Sequence, residues 1–280
     1  MDSIEFLKYF AIDPETKAIG AYLEGIKDGG SFLQIVKEIT KEKPIVIWRG
    51  GRTPVGAKAA FSHTGSLAGS EFVWKTVLKQ AGAIEVESLE ELVDTLLAFQ
   101  QIPRLEGRGV AIISGLVDGG GGGSVLGADI CLSFGLDIPP FSNRTRNGLE
   151  ALLGRVGSIL PNPLDVSHAG SNVDTIRQAI ELASSEPHIH LIIIQESMDM
   201  LLSFLPGERV EKIIELFLEL GESLNKPLVI VLEPGLADDR RLAVVRKLSE
   251  ANIPVFPTLE RAARAIANAR RYFDYRNTNP

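Results

Sequence analysis

The 280-residue sequence has one cysteine, no long apolar run and no excess of basic charge. The single Cys131 excludes a disulfide framework and a cysteine-ligated zinc site, and its apolar neighbours predict a buried side chain. No apolar run reaches the ~18–20 residues of a membrane span, and the N-terminus lacks a signal-peptide layout. The net charge of −7 argues against a nucleic-acid partner held by a basic surface. We therefore expect a soluble, cytoplasmic protein with no membrane or nucleic-acid partner and a core that needs no metal.

Short apolar runs alternate with amphipathic stretches along the whole chain, a pattern typical of βαβ units and a mostly parallel sheet. The first series ends before a polar linker at Gln100–Arg108, and a second series follows it. We therefore predict an α/β fold with two flavodoxin-like, doubly wound parallel-sheet domains, 1–101 and 108–280. The predicted strands are Ala18–Leu23, Pro44–Trp48, Ile84–Val86, Gly109–Ser114, His190–Gln195, Pro227–Leu232 and Pro254–Phe256. The predicted helices are Gly29–Glu42, Leu67–Gln80, one after Ser88 with a Ser88/Glu91 capping box, Ser124–Phe134, Asn143–Leu153, Val173–Ser184, Glu208–Leu224, Asp238–Ala251 and Leu259–Phe273, with a frayed tail after it.

The stretch Arg49–Gly69, RGGRTPVGAKAAFSHTGSLAG, is the first candidate site. We expect a helix to begin at about 65–67, so that Ser62, His63 and Thr64 lie just before its first turn. Free backbone N–H groups and the positive end of the helix dipole favour an anion at such a place, for instance phosphoryl on the His63 ring. An ordinary helix cap with a surface histidine is the alternative. Three nearby basic residues could attract phosphate or simply form a solvated loop: Arg49, Arg52 and Lys58.

The stretch Ser114–Ala128, SGLVDGGGGGSVLGA, is the second candidate site. Five glycines, Gly119–Gly123, lie between a predicted strand and a predicted helix and can form a nest for oxyanions. No lysine follows them as in a P-loop, and an all-glycine run satisfies the dinucleotide-binding pattern only trivially. A flexible loop is the alternative interpretation.

Taken together, these segments resemble one family. The stretch SHTGSLAGSEFVWKTVLKQAGAIEVESLEELVD is similar to the phosphohistidine segment of nucleoside-diphosphate-forming acyl-CoA synthetases, the ADP-forming acetyl-CoA synthetases related to succinyl-CoA synthetase. The segments KPIVIWRGGRTPVGAKAA and DPETKAIGAYLEGIKDGGSFL resemble the preceding part of that domain. RGVAIIS and PNPLDVS resemble the family's second flavodoxin-like domain, so the resemblance covers nearly the whole chain.

The resemblance implies roles for particular residues. His63 matches the histidine that is transiently phosphorylated, and Glu24, in AYLEG, matches the glutamate that orients it. The residues that match two helix N-termini around the phosphate are Gly65, Ser66 and Leu67 in the first domain and Gly121, Gly122, Gly123, Ser124 and Val125 in the second. The glycine run is longer than the family's usual turn, which leaves its phosphate contacts open.

The resemblance also implies the reaction acyl-CoA + ADP + phosphate ⇌ acid + CoA + ATP. Neither the family's CoA-binding domain nor its ATP-grasp unit is found in this sequence. We therefore expect a segment or subunit, inactive alone, that works in a hetero- or homo-oligomer with a CoA-binding domain and an ATP-grasp domain or subunit. CoA, phosphate and ATP or ADP with Mg would be used by the full enzyme and not bound tightly here. The alternative is a catalytically silent, synthetase-like regulatory or scaffolding module of an acyltransferase or ligase.

Other polar residues are expected to be structural. Asn162 and Asp165, in PNPLDVS, suit a turn in which the aspartate bonds local backbone N–H groups. His188 and His190 form a His-x-His pair, but no third ligand is apparent, so we predict no metal site.

Overall fold

The computed structural model of the chain describes residues 2–64, 70–116, 121–154, 161–169 and 172–279. It has two compact units, Met1–Gln100 with Asn268–Pro280 (unit 1) and Gln101–Ala267 (unit 2). The predicted second domain ran to residue 280, whereas the residues from Asn268 onward belong to unit 1. The reason is packing, because Tyr272 and Phe273 join a core cluster of unit 1. No helix of the described part is both long and apolar enough to cross a membrane.

Unit 1 contains a parallel sheet of three strands in the order β1-β2-β3. One face of the sheet packs through Ile45 and Ile47 against Phe32 and Trp74, and the other packs through Val46 against the cluster that holds Tyr272. Helices therefore cover both faces of the sheet. The elements are α1 (Ser3–Ile12), β1 (Ile19–Leu23), α2 (Gly29–Ile39), β2 (Ile45–Arg49), α3 (Pro54–Thr64), α4 (Glu71–Ala81), β3 (Ile84–Val86) and α5 (Leu89–Gln101).

Unit 2 contains a five-stranded parallel sheet in the order β5-β4-β6-β7-β8. Numbered within the unit, this strand order is 2-1-3-4-5, the order of flavodoxin. In such sheets ligands bind at the carboxyl ends of the two adjacent strands whose following connections go to opposite sides of the sheet, which here are β4 and β6. The elements are β4 (Val110–Ser114), α6 (Gly121–Ser133), α7 (Asn143–Leu153), β5 (Leu164–Asp165), a 3₁₀ turn (Ser167–Ala169), α8 (Val173–Ser184), β6 (Leu191–Ser197), α9 (Met198–Phe204), α10 (Gly207–Ser223), β7 (Leu228–Glu233), α11 (Asp238–Glu250), β8 (Val255–Phe256) and α12 (Leu259–Thr278). The predicted α/β class with parallel sheets is confirmed.

Several elements differ from the sequence-based prediction. Helices α1, α3 and α9 and the short strand β5 were not predicted. Helix α1 begins with a capping box, since the Asp2 carboxylate accepts from the N–H groups of Ile4 and Glu5 and the Glu5 carboxylate accepts from the N–H of Asp2. The helix predicted to end at Phe273 continues as α12 to Thr278, into the tail RNTNP that was predicted to fray. An Arg270–Asp274 ion pair of 2.7 Å spans one of its turns.

Candidate functional site

The carboxyl end of the unit 1 sheet places Glu24 beside the turn that follows β2. Glu24 comes directly after β1, and its Oε1 accepts a hydrogen bond of 3.0 Å from the Tyr22 hydroxyl. The Tyr22 ring packs on Trp48, with 4.8 Å between the ring centroids. Burial, together with the hydrogen bond to Glu24 and the charge of that carboxylate, raises the pKa of Tyr22. The carboxylate is thus held by an aromatic side chain that is itself packed.

Gly50 has to be a glycine because of this arrangement. A Cβ atom built there would lie 2.4 Å from the Tyr22 oxygen and 3.1 Å from Cγ of Glu24. Its N–H donates to the carbonyl of Leu23, so the β2 turn is tied to the end of β1. The turn that leads to His63 therefore starts in contact with Glu24.

His63 lies on α3, and its position corrects the prediction for this segment. Ser62, His63 and Thr64 form the last turn of α3, so the prediction that they precede a helix beginning at 65–67 is wrong. Helix α3 starts because the Thr53 hydroxyl accepts from the N–H of Gly56 at 3.1 Å and Pro54 takes the first helical position. The sequence signal for this helix was Thr53 as a cap followed by Pro54 at the first helical position. It was missed because Pro54 and Gly56 are also typical of loops.

Among the described residues, the helix that follows α3 is α4, which begins at Glu71. Its N-cap, Ser70, makes no capping bond with its side chain, so the N–H groups of the first turn lack that partner. The predicted phosphate-binding residues Gly65, Ser66 and Leu67 lie outside the described residues, and so does the side chain of His63. The pairing of His63 with Glu24 therefore stays a prediction.

The three basic residues near this turn have three different environments. Arg49 is buried at 2% exposure, with Nε 3.7 Å from Glu85 Oε1 and its guanidinium 5.7 Å from the centroid of the Trp74 ring. Its Nε and Nη2 atoms have no hydrogen-bond partner within the described part of the chain. Arg52 donates to Glu87 at 3.1 Å. Lys58 is exposed on α3, so it has the solvated setting that was one of the two alternatives, and Arg49 does not.

Helices α3 and α4 both carry exposed apolar side chains. They are Val55 at 81% and Phe61 at 56% on α3, and Phe72 at 78% and Val73 at 55% on α4. Large exposed apolar side chains of this kind often mark an interaction site when they are contiguous.

The described residues that flank the glycine run of unit 2 are the end of β4 and the start of α6, and β4 is paired with β6. The N–H of Leu116 donates to the buried Glu196 at 2.9 Å, and the hydroxyls of Ser114 and Ser124 share a hydrogen bond of 2.8 Å. Residues 117–120, which include Gly119 and Gly120, lie outside the described residues. Sequence reasoning missed Glu196, although an acidic residue directly after the predicted strand His190–Gln195 was a usable signal.

Helix α6 begins at Gly121, three residues earlier than the predicted start at Ser124. A Cβ atom built on Gly122 or on Gly123 would meet nothing within 4 Å. Ser124 is buried and Val125 is exposed. The space over Gly122 and Gly123 is therefore unfilled by the described residues, and the Ser124 hydroxyl is bonded to Ser114 at the end of β4.

The remaining polar residues behave structurally. Asn162 is buried, donates to the carbonyls of Val110 and Pro139 and accepts from the N–H of Ile112. Asp165 accepts from the N–H of Ser167 at 2.9 Å, which confirms the predicted local backbone bond. Within the described ranges, no group of three potential metal ligands occurs.

The chain is similar to proteins of one family in sequence and in fold. Residues 1–99 match the family model for the succinyl-CoA ligase like flavodoxin domain. The sequence is 33% identical over 272 residues, 95% of this chain and 55% of the relative, to the α subunit of ADP-forming acetate–CoA ligase I of Pyrococcus furiosus. It is 32% identical over 274 residues, 97% of this chain and 36% of the relative, to ADP-forming acetate–CoA ligase I of Archaeoglobus fulgidus.

A solved structure extends this likeness to the fold. Acetyl-coenzyme A synthetase 1 of Candidatus Korarchaeum cryptofilum, in complex with phosphate and ADP, superimposes with a TM-score of 0.79 at 26% identity. The match covers 99% of this chain and 57% of that one. The chain thus spans less than two thirds of the length of each of these relatives.

Proposed function

Because this chain belongs to the succinyl-CoA ligase-like family of ADP-forming acyl-CoA synthetases, we propose that it is the phosphoryl-carrying component of an ADP-forming acid–CoA ligase, with His63 as the carrier. The observation that supports this role most is the place of Glu24. Its side chain lies beside Gly50, with Cγ 3.1 Å from a Cβ atom built there, at the start of the turn that leads into α3, the helix that ends with His63 and Thr64.

The proposed step is phosphoryl transfer from an acyl phosphate. A nitrogen of the neutral His63 ring forms the N–P bond while the bond between phosphorus and the acyl oxygen breaks, and the acid leaves with that electron pair. The proton on the other ring nitrogen stays hydrogen-bonded to Glu24, which fixes the tautomer and stabilises the charge that develops on the ring. A second transfer passes the phosphoryl group to ADP, so one difficult reaction becomes two easier ones.

Backbone N–H groups are proposed to hold the phosphoryl group. In unit 1 we assign this to the segment that contains Gly65, Ser66 and Leu67, together with the first turn of α4. In unit 2 we assign it to Gly121, Gly122 and Gly123 at the start of α6, where the dipole of a 13-residue helix favours an anion. The open space over Gly122 and Gly123 supports this assignment.

The proposed partners are a CoA-binding module and an ATP-grasp module, and the proposed substrates of the assembly are CoA, phosphate, an acid and ADP with Mg. The exposed apolar side chains of Val55 and Phe61 on α3 and of Phe72 and Val73 on α4 support a partner that covers these helices. We propose that the assembly acts in the cytoplasm.

The test is ATP formation from acetyl-CoA, ADP and phosphate. We expect no turnover by the chain alone and turnover once both partner modules are added. His63→Ala should abolish this activity, with Lys58→Ala as a control that leaves the carrier in place. Full activity of the His63→Ala assembly would contradict the proposal and favour the silent regulatory module.

A further inference from the structure

Tyr22 is placed to fix the orientation of the Glu24 carboxylate, which the proposed function pairs with His63. Its hydroxyl donates to Glu24 Oε1 at 3.0 Å. A glutamate at the end of a strand has several rotamers, and one fixed oxygen restricts them. The second oxygen then keeps a defined direction, which a partner of the carboxylate can use.

The Tyr22 ring is itself held in place. Tyr22 and Trp48 are register partners on neighbouring parallel strands, and their ring centroids are 4.8 Å apart. On the side of the β2 turn, the phenol occupies the space that a side chain at residue 50 would fill, since a Cβ there would be 2.9 Å from Cζ of Tyr22. Tyr22 is 51% exposed, and its contacts with Trp48 and with the space over Gly50 restrict where the hydroxyl can lie.

We infer that Tyr22 is a positioning residue for phosphorylation: its hydroxyl orients the Glu24 carboxylate toward the His63 ring, and Gly50 preserves the space that this requires. The inference rests on the proposed function of His63 and Glu24 and adds a residue that neither the sequence pattern nor the resemblance pointed to. Tyr22 does not contact the reacting atoms in this account, so its loss slows the transfer without removing the carrier.

The first measurement is the rate at which His63 is phosphorylated by labelled ATP and Mg in the assembly with the ATP-grasp partner. Tyr22→Phe keeps the ring on Trp48 and removes only the hydroxyl. We expect the rate constant to fall roughly three- to tenfold, the size of a partly exposed hydrogen bond to a charged group, with an unchanged KM for ATP. Gly50→Ala, which displaces the phenol, should lower the rate in the same way. Tyr9→Phe, an exposed tyrosine on α1, is the matched control and should leave the rate unchanged.

The second measurement needs no phosphorylation and separates this inference from the proposed function. The ¹⁵N chemical shifts of the His63 ring report its tautomer in the chain alone. Glu24→Gln and Tyr22→Phe should both shift the tautomer ratio in the same direction, while Tyr9→Phe should not change it. If the unmodified chain is not labelled, the carrier function is rejected. A tautomer shift in Tyr22→Phe would still support the role of Tyr22 in positioning Glu24. A Tyr22→Phe chain with the original tautomer ratio would overturn the inference, whatever the labelling shows.

Discussion

At the scale of single residues, buried polar side chains divide into those whose hydrogen bonds are complete and those whose bonds are not. Asn162 makes three hydrogen bonds to backbone groups around β4. Arg49 is as deeply buried but leaves Nε and Nη2 without a hydrogen-bond partner in the described part of the chain, with Glu85 at 3.7 Å. Buried groups of the first kind stabilise the fold, whereas groups of the second kind leave part of their desolvation cost uncompensated.

Replacing Asn162 by alanine tests the structural role of its side chain. We expect Asn162→Ala to lower the free energy of unfolding by about 2–4 kcal/mol, because buried backbone groups of Val110 and Ile112 lose a partner. Asn143→Ala is the control, since Asn143 is exposed and bonds only the Arg146 side chain among the described contacts. Urea denaturation measures both variants, and equal losses would contradict this account of Asn162.

The thiol of Cys131 gives a second prediction at this scale. Cys131 is fully buried, and burial raises the pKa of its thiol to about 12. The thiol is therefore protonated and inaccessible at pH 8, and we expect no reaction with a thiol reagent in the native chain. In urea the same reagent should react with one thiol per chain. Rapid stoichiometric reaction of the folded chain would contradict the buried placement.

At the scale of elements, helix α6 combines glycines of two kinds. A Cβ built on Gly127 would lie 3.0 Å from Leu259 and 3.3 Å from Ile112, so this glycine permits the helix to pack. Gly122 and Gly123 face open space and serve no packing purpose within the described structure. Glycine destabilises a helix relative to alanine, so the first turn retains a cost that packing does not explain.

Alanine substitutions in α6 separate these two kinds of glycine. Gly122→Ala should leave the free energy of unfolding unchanged or raise it by up to about 1 kcal/mol, because alanine is the better helix former. It should nevertheless slow phosphoryl transfer in the assembly, because the methyl group occupies the proposed phosphate space. Gly127→Ala should instead lower the free energy of unfolding, because the added methyl group overpacks the helix against its neighbours. If phosphoryl transfer is as fast with Gly122→Ala as with the unmodified chain, the first turn of α6 is not part of the phosphate site.

At the scale of the whole molecule, the chain folds as two α/β units whose boundaries do not follow the sequence order. The last residues of α12 belong to unit 1, where Asn268 donates to Glu91 and to Thr95 and Tyr272 is buried against Phe99. Both tryptophans, Trp48 and Trp74, also lie in unit 1. Tryptophan fluorescence therefore reports the unfolding of this unit.

Removing the Tyr272 side chain should destabilise unit 1 specifically. We expect Tyr272→Ala to lower the free energy of its unfolding by about 3–5 kcal/mol, the cost of deleting a buried aromatic ring. Tyr275→Phe, which loses only an exposed bond to the Gln80 carbonyl, should change it by less than about 1 kcal/mol. An unchanged fluorescence transition in Tyr272→Ala would contradict the placement of the chain end in unit 1.

The sequence predicts the strands well because buried parallel strands are continuous apolar runs. Ile84–Val86 is found as predicted, and so are the helices Asn143–Leu153 and Val173–Ser184, whose apolar spacing and caps agree. Helix α3 was missed because Gly56 and Pro54 are typical of a loop, and Thr53 as its cap was not recognised. Because α3 was missed, the helix that begins at Glu71 was expected to begin at 65–67.

The candidate site could be predicted only where local sequence determines it. Glu24 was found from the AYLEG segment, and the start of α6 was found from the glycine run that follows a predicted strand. The burial of Arg49 and the bond from Leu116 to Glu196 depend on contacts between separate strands, which no local pattern encodes. The return of α12 to unit 1 is likewise a tertiary contact. The bond from the Tyr22 hydroxyl to Glu24 joins residues two positions apart at the end of β1, where side chains share a face, so strand alternation was a local signal for it.

The most direct test of the central claim is the site and chemistry of phosphorylation. The chain, assembled with its ATP-grasp partner, is incubated with labelled ATP and Mg, and the phosphate is located by mass spectrometry. The account predicts one acid-labile, base-stable phosphate per chain, on His63, that is lost in His63→Ala and reduced in Glu24→Gln. An unlabelled chain, or a label that persists in His63→Ala, would contradict it.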